Sequence, residues 1–288
     1  MAANVKTRVA IVTDSTAYPA PSMAREMGVS VHVVPLVLML GGRTWRDGVD
    51  IAPADFYREL ENSLDYPTTS QPSVGTFQDL FAALAEEVEG IVCVLVSREI
   101  TATIDAAKAA AANLPDVPIQ IVDSRGTAMM LGFAVLAAAR AAAAGQDVTG
   151  VAEAARRVVT RSQLYFAVGT LEYLHRGGRI GLAAKLLGSA LSIKPIVRFK
   201  DGAVEPVTKL RTMHKAVNTL YDCLADHVKE GARAHVAVFH VNEPQEGGRF
   251  RDMVQTGLRP VELIETEVSP VLGAHGGPGT VGFALYVE

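Results

Sequence analysis

The residues best suited to chemistry are a lone histidine among glycines and several clustered hydroxyls. Near the C-terminus the chain reads GAHGGPGTVGFALYVE, with His275 among four glycines and a proline just before the last apolar run. A glycine-rich loop exposes backbone N–H groups that hold anions, and an imidazole set among them donates to an oxyanion near neutral pH. A second concentration is TTSQPS, with Thr68, Thr69, Ser70 and Ser73 around Gln71 and Pro72. Capping the helix that follows needs one hydroxyl, from Ser73 or Thr76, and four are present. Neutral donors of this kind suit an oxyanion held by hydrogen bonds more than by full neutralisation of its charge. Two corners carry cations. Arg176 and Arg179 flank the Gly-Gly of HRGGRI, and Lys209 and Arg211 close a hairpin in KLRT. Each alone reads as a solvated surface charge. Beside an oxyanion, an arginine at such a corner serves as a two-pronged clamp for carboxylate or phosphate.

The usual catalytic signatures do not occur. There is no GxxxxGK[ST] and no GxSxG, and the seven histidines are dispersed without metal-ligand spacing. Gly277, Gly279 and Gly282 satisfy GxGxxG literally, but they precede a strand pattern where a dinucleotide site needs a helix. Cys93 and Cys223 stand far apart and read as reduced thiols. The 288 residues are 49% hydrophobic and 20% charged, enough apolar material for a substantial core, and the net charge of −4 with scattered Lys and Arg argues against a nucleic-acid surface. The N-terminus lacks an apolar signal core, VSVHVVPLVLML is too short to span a bilayer, and LGFAVLAAARAAAAG is interrupted by Arg140. The expectation is a soluble cytoplasmic protein.

The elements that must position these residues alternate in the first half. TRVAIVTDS, VSVHVVPLVLML, GIVCVLVS and PIQIVDS read as strands, and VSVHVVPLVLML as one buried strand. Helical patterns stand between them, and GGRTWRDG reads as a turn or hairpin. LDYPTTSQPSVGT reads as a loop. Repeated strand–helix–strand order implies a parallel, doubly wound sheet. Its strands end in Thr13-Asp14-Ser15-Thr16, Ser97 and Asp123-Ser124. These should gather at the carboxyl edge, where such sheets bind ligands. Beyond a connecting helix the pattern changes to a hairpin signal around Asp-Gly, a helix and three strands. The boundary is placed near residue 160, giving a first α/β domain over 1–160 and a mixed-sheet α/β domain over 161–288. AAKLLGSALSIKPI suits either core or the wall of an apolar ligand cavity.

Taken together, VAIVTDSTAYP, TTSQPSVGTF, VSREITAT, VDSRGTAMMLG, LEYLHRGGRIG, LLGSALSIKPIV, DGAVEPVTKLRTMHKA and GAHGGPGTVG, in this order over almost the whole chain, resemble the DegV family of bacterial lipid-binding proteins. The resemblance implies a two-domain α/β fold with a long-chain fatty acid buried between the domains. It also implies the role of binding subunit of a fatty acid kinase, one that is not an enzyme by itself and carries no cofactor. A separate ATP-binding subunit would phosphorylate the presented carboxyl group to an acyl phosphate for phospholipid synthesis, with transient membrane contact for loading. The carboxylate ligands it implies are Thr69, Ser97 and His275, with Ser70, Gly276 and Gly277 in support. Arg211, with Arg179, is implied in partner engagement or phosphoryl transfer. The chain departs from the family's common SSxLSGT by placing Arg98 and Ala102 after Ser97. The alternatives are a stand-alone small-molecule phosphotransferase or hydrolase using the hydroxyl-rich edge, and a lipid sensor.

Overall fold

The computed structural model describes residues 7–188, 193–229 and 231–288. Part of the apolar stretch AAKLLGSALSIKPI lies outside the described residues. The first half runs β1 (Thr7–Asp14), α1 (Ala20–Glu26), β2 (Val31–Val34), β3 (Val37–Leu40), β4 (Arg43–Arg46), α2 (Pro53–Glu61), β5 (Thr68–Ser70), α3 (Val74–Ala85), β6 (Val88–Leu95), α4 (Thr103–Ala112), β7 (Ile119–Asp123), α5 (Ala128–Ala143) and α6 (Val148–Val159). The second half runs β8 (Ser162–Ala167), α7 (Glu172–Arg176), β9 (Lys194–Lys200), β10 (Ala203–Leu210), α8 (Met213–His227), β11 (Ala234–Val241), α9 (Pro244–Gly257), β12 (Glu262–Glu267), α10 (Pro270–Gly276) and β13 (Thr280–Val287).

The β-branched runs form a parallel sheet in the order β2-β1-β6-β7. Both faces of such a sheet are covered by helices, so its strands are apolar throughout. Alternate side chains of β6 show the two faces: Ile91, Cys93 and Leu95 pack with α3 and α4, while Val92 and Val94 point to α5 and α6. A six-stranded mixed sheet follows, in the order β10-β9-β8-β13-β11-β12. Val281, Phe283 and Leu285 of β13 meet α8 and α9, and Ala284 and Tyr286 face the first half of the chain. Helix α5 lies between the two sheets, packed on β1 and β6 and on β13 and β8. Its sequence AMMLGFAVLAAARAAA is apolar around nearly its whole circumference, as a helix with neighbours on every side requires. Among the described residues no helix is long and apolar enough to cross a membrane.

Three expectations are corrected here. VSVHVVPLVLML is two strands, because Pro35 has no N–H for the ladder and the chain leaves the parallel sheet there. Val31–Val34 stays beside β1, whereas Val37–Leu40 joins a separate antiparallel sheet, β4-β3-β5. The TTSQPS loop begins as strand β5, which pairs with β3 through Leu38↔Thr69. The Gly-rich segment at His275 is largely helical, since α10 ends at Gly276.

The carboxyl edge of the parallel sheet does collect acids and hydroxyls, but the backbone uses most of them. Asp14, fully buried, accepts from Val96 N–H at 2.7 Å through Oδ2, and from Thr16 N–H at 3.0 Å and Thr16 Oγ1 at 2.6 Å through Oδ1. Burial raises its pKa and these hydrogen bonds oppose the rise. Ser124 Oγ donates to Gly126 O at 3.0 Å. Replacing Asp14 by Ala strands the Val96 donor inside the core. Asp14→Ala is expected to lower unfolding stability by roughly 2–4 kcal/mol in urea titration, and an unchanged midpoint would contradict this account of the edge.

Candidate functional site

A cavity lies between α5 and the inner face of the six-stranded sheet. Leu164, Phe166, Phe199, Phe239, Val241 and Val268 give it apolar walls. Its polar lining comes from Thr127, Arg179, His275 and Thr280. Most of these walls are the inward-facing members of alternating strands, which explains why β8 and β11 carry aromatic residues on that face.

His275 is held at the end of α10 by contacts from the first half of the chain. At the helix start, Asp47 Oδ1 accepts from Val271 N–H at 3.4 Å. Tyr57 of α2 donates from Oη to Val268 O at 3.1 Å. Its ring lies so close to Gly273 that a Cβ there would come within 2.4 Å of it. The helix stops at Gly277, whose φ of 75° suits glycine, with the Tyr173 ring against its Cα. These supports bring His275 Nε2 to 2.8 Å from Thr69 Oγ1 on β5. Two residues 206 apart in sequence thus meet beside the cavity, which His275 lines and Thr69 does not.

The electrostatics follow from burial. Loss of water, and then the Arg179 guanidinium, lowers the His275 pKa from 6.5 to about 4, so the ring is neutral at pH 7. A neutral ring has one N–H. If Nε2 carries it, Thr69 accepts, and the hydroxyl proton of Thr69 is free to point at a ligand oxygen. Nδ1 is buried with no hydrogen-bond partner and faces Gly177. Arg179 is fixed by donating from Nε to Ile100 O at 3.1 Å and from Nη1 to Gly177 O.

The remaining sequence candidates are placed as follows. Ser97 is fully buried and donates to Gly202 O at 2.7 Å in the β9–β10 turn; it does not line the cavity. Ser70 is exposed, with its hydroxyl directed to Gln71 O. Arg211 is exposed at the β10–α8 corner and is not among the lining residues, and Arg98 is exposed as well. Gly276 lines the cavity. The idea of free N–H groups in this loop is corrected, because Gly277 N–H bonds to Gly273 O and Gly279 N–H to Val241 O. A helix C-terminus offers carbonyls, not donors. Reasoning from residues overlooked Thr127, which stands at the N-cap of α5 and lines the cavity without making a cap hydrogen bond.

Two predictions test this geometry. A Cβ on Gly177 would lie 2.3 Å from His275 Nδ1. Gly177 has ordinary helical angles, so Gly177→Ala strains no backbone and acts by displacing the imidazole. We expect its His275 ring resonances to shift in NMR spectra while Asp14-region amides stay in place; unmoved ring resonances would contradict the packing. The second concerns pH. His275, with its pKa lowered to about 4, costs the folded state stability as pH falls from 6.5 towards 4. Asp47, buried and raised from 3.8 to about 6, acts the opposite way, stabilising below pH 3.8 and losing that effect as pH rises to 6. The two nearly cancel between pH 4 and 6. Asp47→Asn removes one of them, so its stability should fall more steeply than that of the wild type on acidification over this window, by on the order of 3 kcal/mol. Parallel pH profiles would contradict it.

Comparison with known proteins gives a consistent result. The family model described as "Uncharacterised protein, DegV family" matches residues 8–288. A DegV domain-containing protein of Streptomyces coelicolor is 40% identical over 280 residues, covering 96% of this chain and 98% of that protein. Protein DegV of Bacillus subtilis is 30% identical over 278 residues, covering 95% and 97%. Among solved structures, a fatty-acid-binding DegV family protein from Thermus thermophilus superposes with a TM-score of 0.90 at 30% identity, over 98% of this chain and 100% of that one. DegV from Bacillus subtilis, described as a fatty acid binding protein, gives 0.89 at 29%, with the same coverage.

Proposed function

Because this chain belongs to the DegV family, we propose that it binds a long-chain fatty acid in the cavity beside α5 and presents the carboxyl group to a separate ATP-dependent kinase subunit, which converts it to an acyl phosphate for phospholipid synthesis. The observation that carries this reading is an apolar, aromatic-walled cavity whose lining includes a cation and the histidine paired with Thr69. The fatty-acid binding described for the Thermus thermophilus and Bacillus subtilis proteins supports it.

The energetics favour enclosure. Each buried CH₂ is worth about 0.8 kcal/mol, so a long acyl chain supplies on the order of 10 kcal/mol before ordering costs. A carboxylate taken out of water opposes this unless it is hydrogen-bonded. Thr69 donates to one carboxylate oxygen, with His275 Nε2–H fixing the hydroxyl's direction. Arg179 supplies the positive charge. Ser97 joins them when its hydroxyl turns from Gly202 to the ligand. Ser70, Gly276 and Gly277 shape the surrounding backbone. The exposed Arg211 faces solvent, where it engages the kinase subunit and the transferred phosphoryl group. The chain thus binds and positions while the partner holds ATP in the cytoplasm, and loading takes place during brief membrane contact.

The test is mass spectrometry of the purified protein under native and then denaturing conditions, with the Thr69→Val variant beside it. The expected result is a bound mass released on denaturation that extracts as a long-chain fatty acid, with affinity about ten- to a hundred-fold weaker in the variant. Protein that is empty and takes up no added fatty acid would overturn the proposal.

A further inference from the structure

The carboxyl-binding set above does not account for Thr127. This residue occupies the N-cap position of α5, where threonine normally spends its hydroxyl on a free N–H of the first turn. Here the side chain makes no cap hydrogen bond. Oγ1 is buried without any hydrogen-bond partner, the residue is only 7% exposed, and it lines the cavity. Ala128, the next residue, also lines the cavity and is held at φ 49°, unusual for a residue with a side chain.

We propose that Thr127 and the amino end of α5 form a second anion seat in the cavity, which takes an oxygen of the ligand's head group, a carboxylate or the acyl phosphate made from it. This rests on the lipid-binding reading. The groups gathered at this seat can donate. The hydroxyl is unpaired and Arg179 lines the same cavity; Met130 and Leu131 N–H bond to Thr127 O, which leaves the N–H groups of Ala128 and Met129 at the helix start for a head group. Helix α5 has sixteen residues, so its amino end carries the partial positive charge of a full macrodipole. A neutral acceptor would use one donor, whereas an oxyanion uses several. Valine has nearly the shape of threonine and would fill the same space without an orphaned hydroxyl. The hydroxyl is therefore a burden on the empty protein that the bound head group relieves.

The experiment compares wild type, Thr127→Val and Thr127→Ser after delipidation, using palmitate and its methyl ester as probes and the thermal midpoint of the empty protein as a control. Thr127→Val should bind palmitate about ten- to a hundred-fold more weakly, as expected for a lost hydrogen bond to a charged group. Thr127→Ser should restore binding. The methyl ester, which carries no charge, should bind wild type and Thr127→Val alike. The empty Thr127→Val protein should melt no lower than wild type. Undiminished palmitate affinity in Thr127→Val, an equal loss for the methyl ester, or a lower melting temperature of the empty variant would each overturn the seat while leaving the lipid reading intact. Wild-type protein that binds no palmitate would overturn the lipid reading, and this assignment with it.

Discussion

The hydrogen bond between Thr69 Oγ1 and His275 Nε2 is the contact on which the site depends. It joins the small antiparallel sheet to α10 and sets a hydroxyl against an imidazole of the cavity lining. Neither residue reaches that position alone. Thr69 is aligned by pairing with Leu38 on β3. His275 is aligned because Asp47 and Tyr57 hold the other end of its short helix and Gly177 lets its ring come close. Burial of this pair keeps the imidazole neutral, and a neutral imidazole orients a hydroxyl without adding a fixed charge of its own.

Helix α5 supplies the second constraint. It packs against both sheets at once, so the apolar cluster running from Ile11 to Tyr286 is continuous across them. Its small side chains allow the close approach, as at Gly132, where a Cβ would come within 3.1 Å of Ala20 Cβ. The carboxyl edge of the parallel sheet then becomes structural. Asp14 and Ser124 bind backbone groups there, and Ser97 ties that edge to the β9–β10 turn. Only Thr127, at the start of α5, brings a polar group from that edge into the cavity lining; the others come from the Gly-Gly turn after α7, the end of α10 and the start of β13.

Much of this was legible in the chain. The parallel strands show as β-branched runs because both faces are buried, and α5 shows as an alanine-rich stretch with no polar face. Thr69, His275 and the Arg179 corner stand out by residue type. What was hidden has a common physical cause. Helix α9 contains Gly247 and Gly248, and α10 contains Gly273, all poor helix formers. Gly247 and Gly273 are there because a neighbour comes too close for a Cβ, His240 in one case and Tyr57 in the other. Tertiary packing thus wrote loop-like composition into helices. The three-residue strand β5 was hidden for a different reason. Its Thr-Thr-Ser pattern has no apolar face to signal alternation, and only pairing with β3 makes it a strand. Thr127 was hidden because its distinction is a missing hydrogen bond, which local sequence does not record.

The most direct test of the central claim, that the cavity buries an acyl chain with its carboxylate at the Thr69–His275 pair, is a carbon-13 NMR spectrum of carboxyl-labelled palmitate added to delipidated protein. The account predicts a single bound carboxyl resonance, resolved from free palmitate and displaced in the Gly177→Ala variant, whose imidazole is moved. A spectrum showing only free palmitate, or a bound carboxyl signal identical in both proteins, would contradict it.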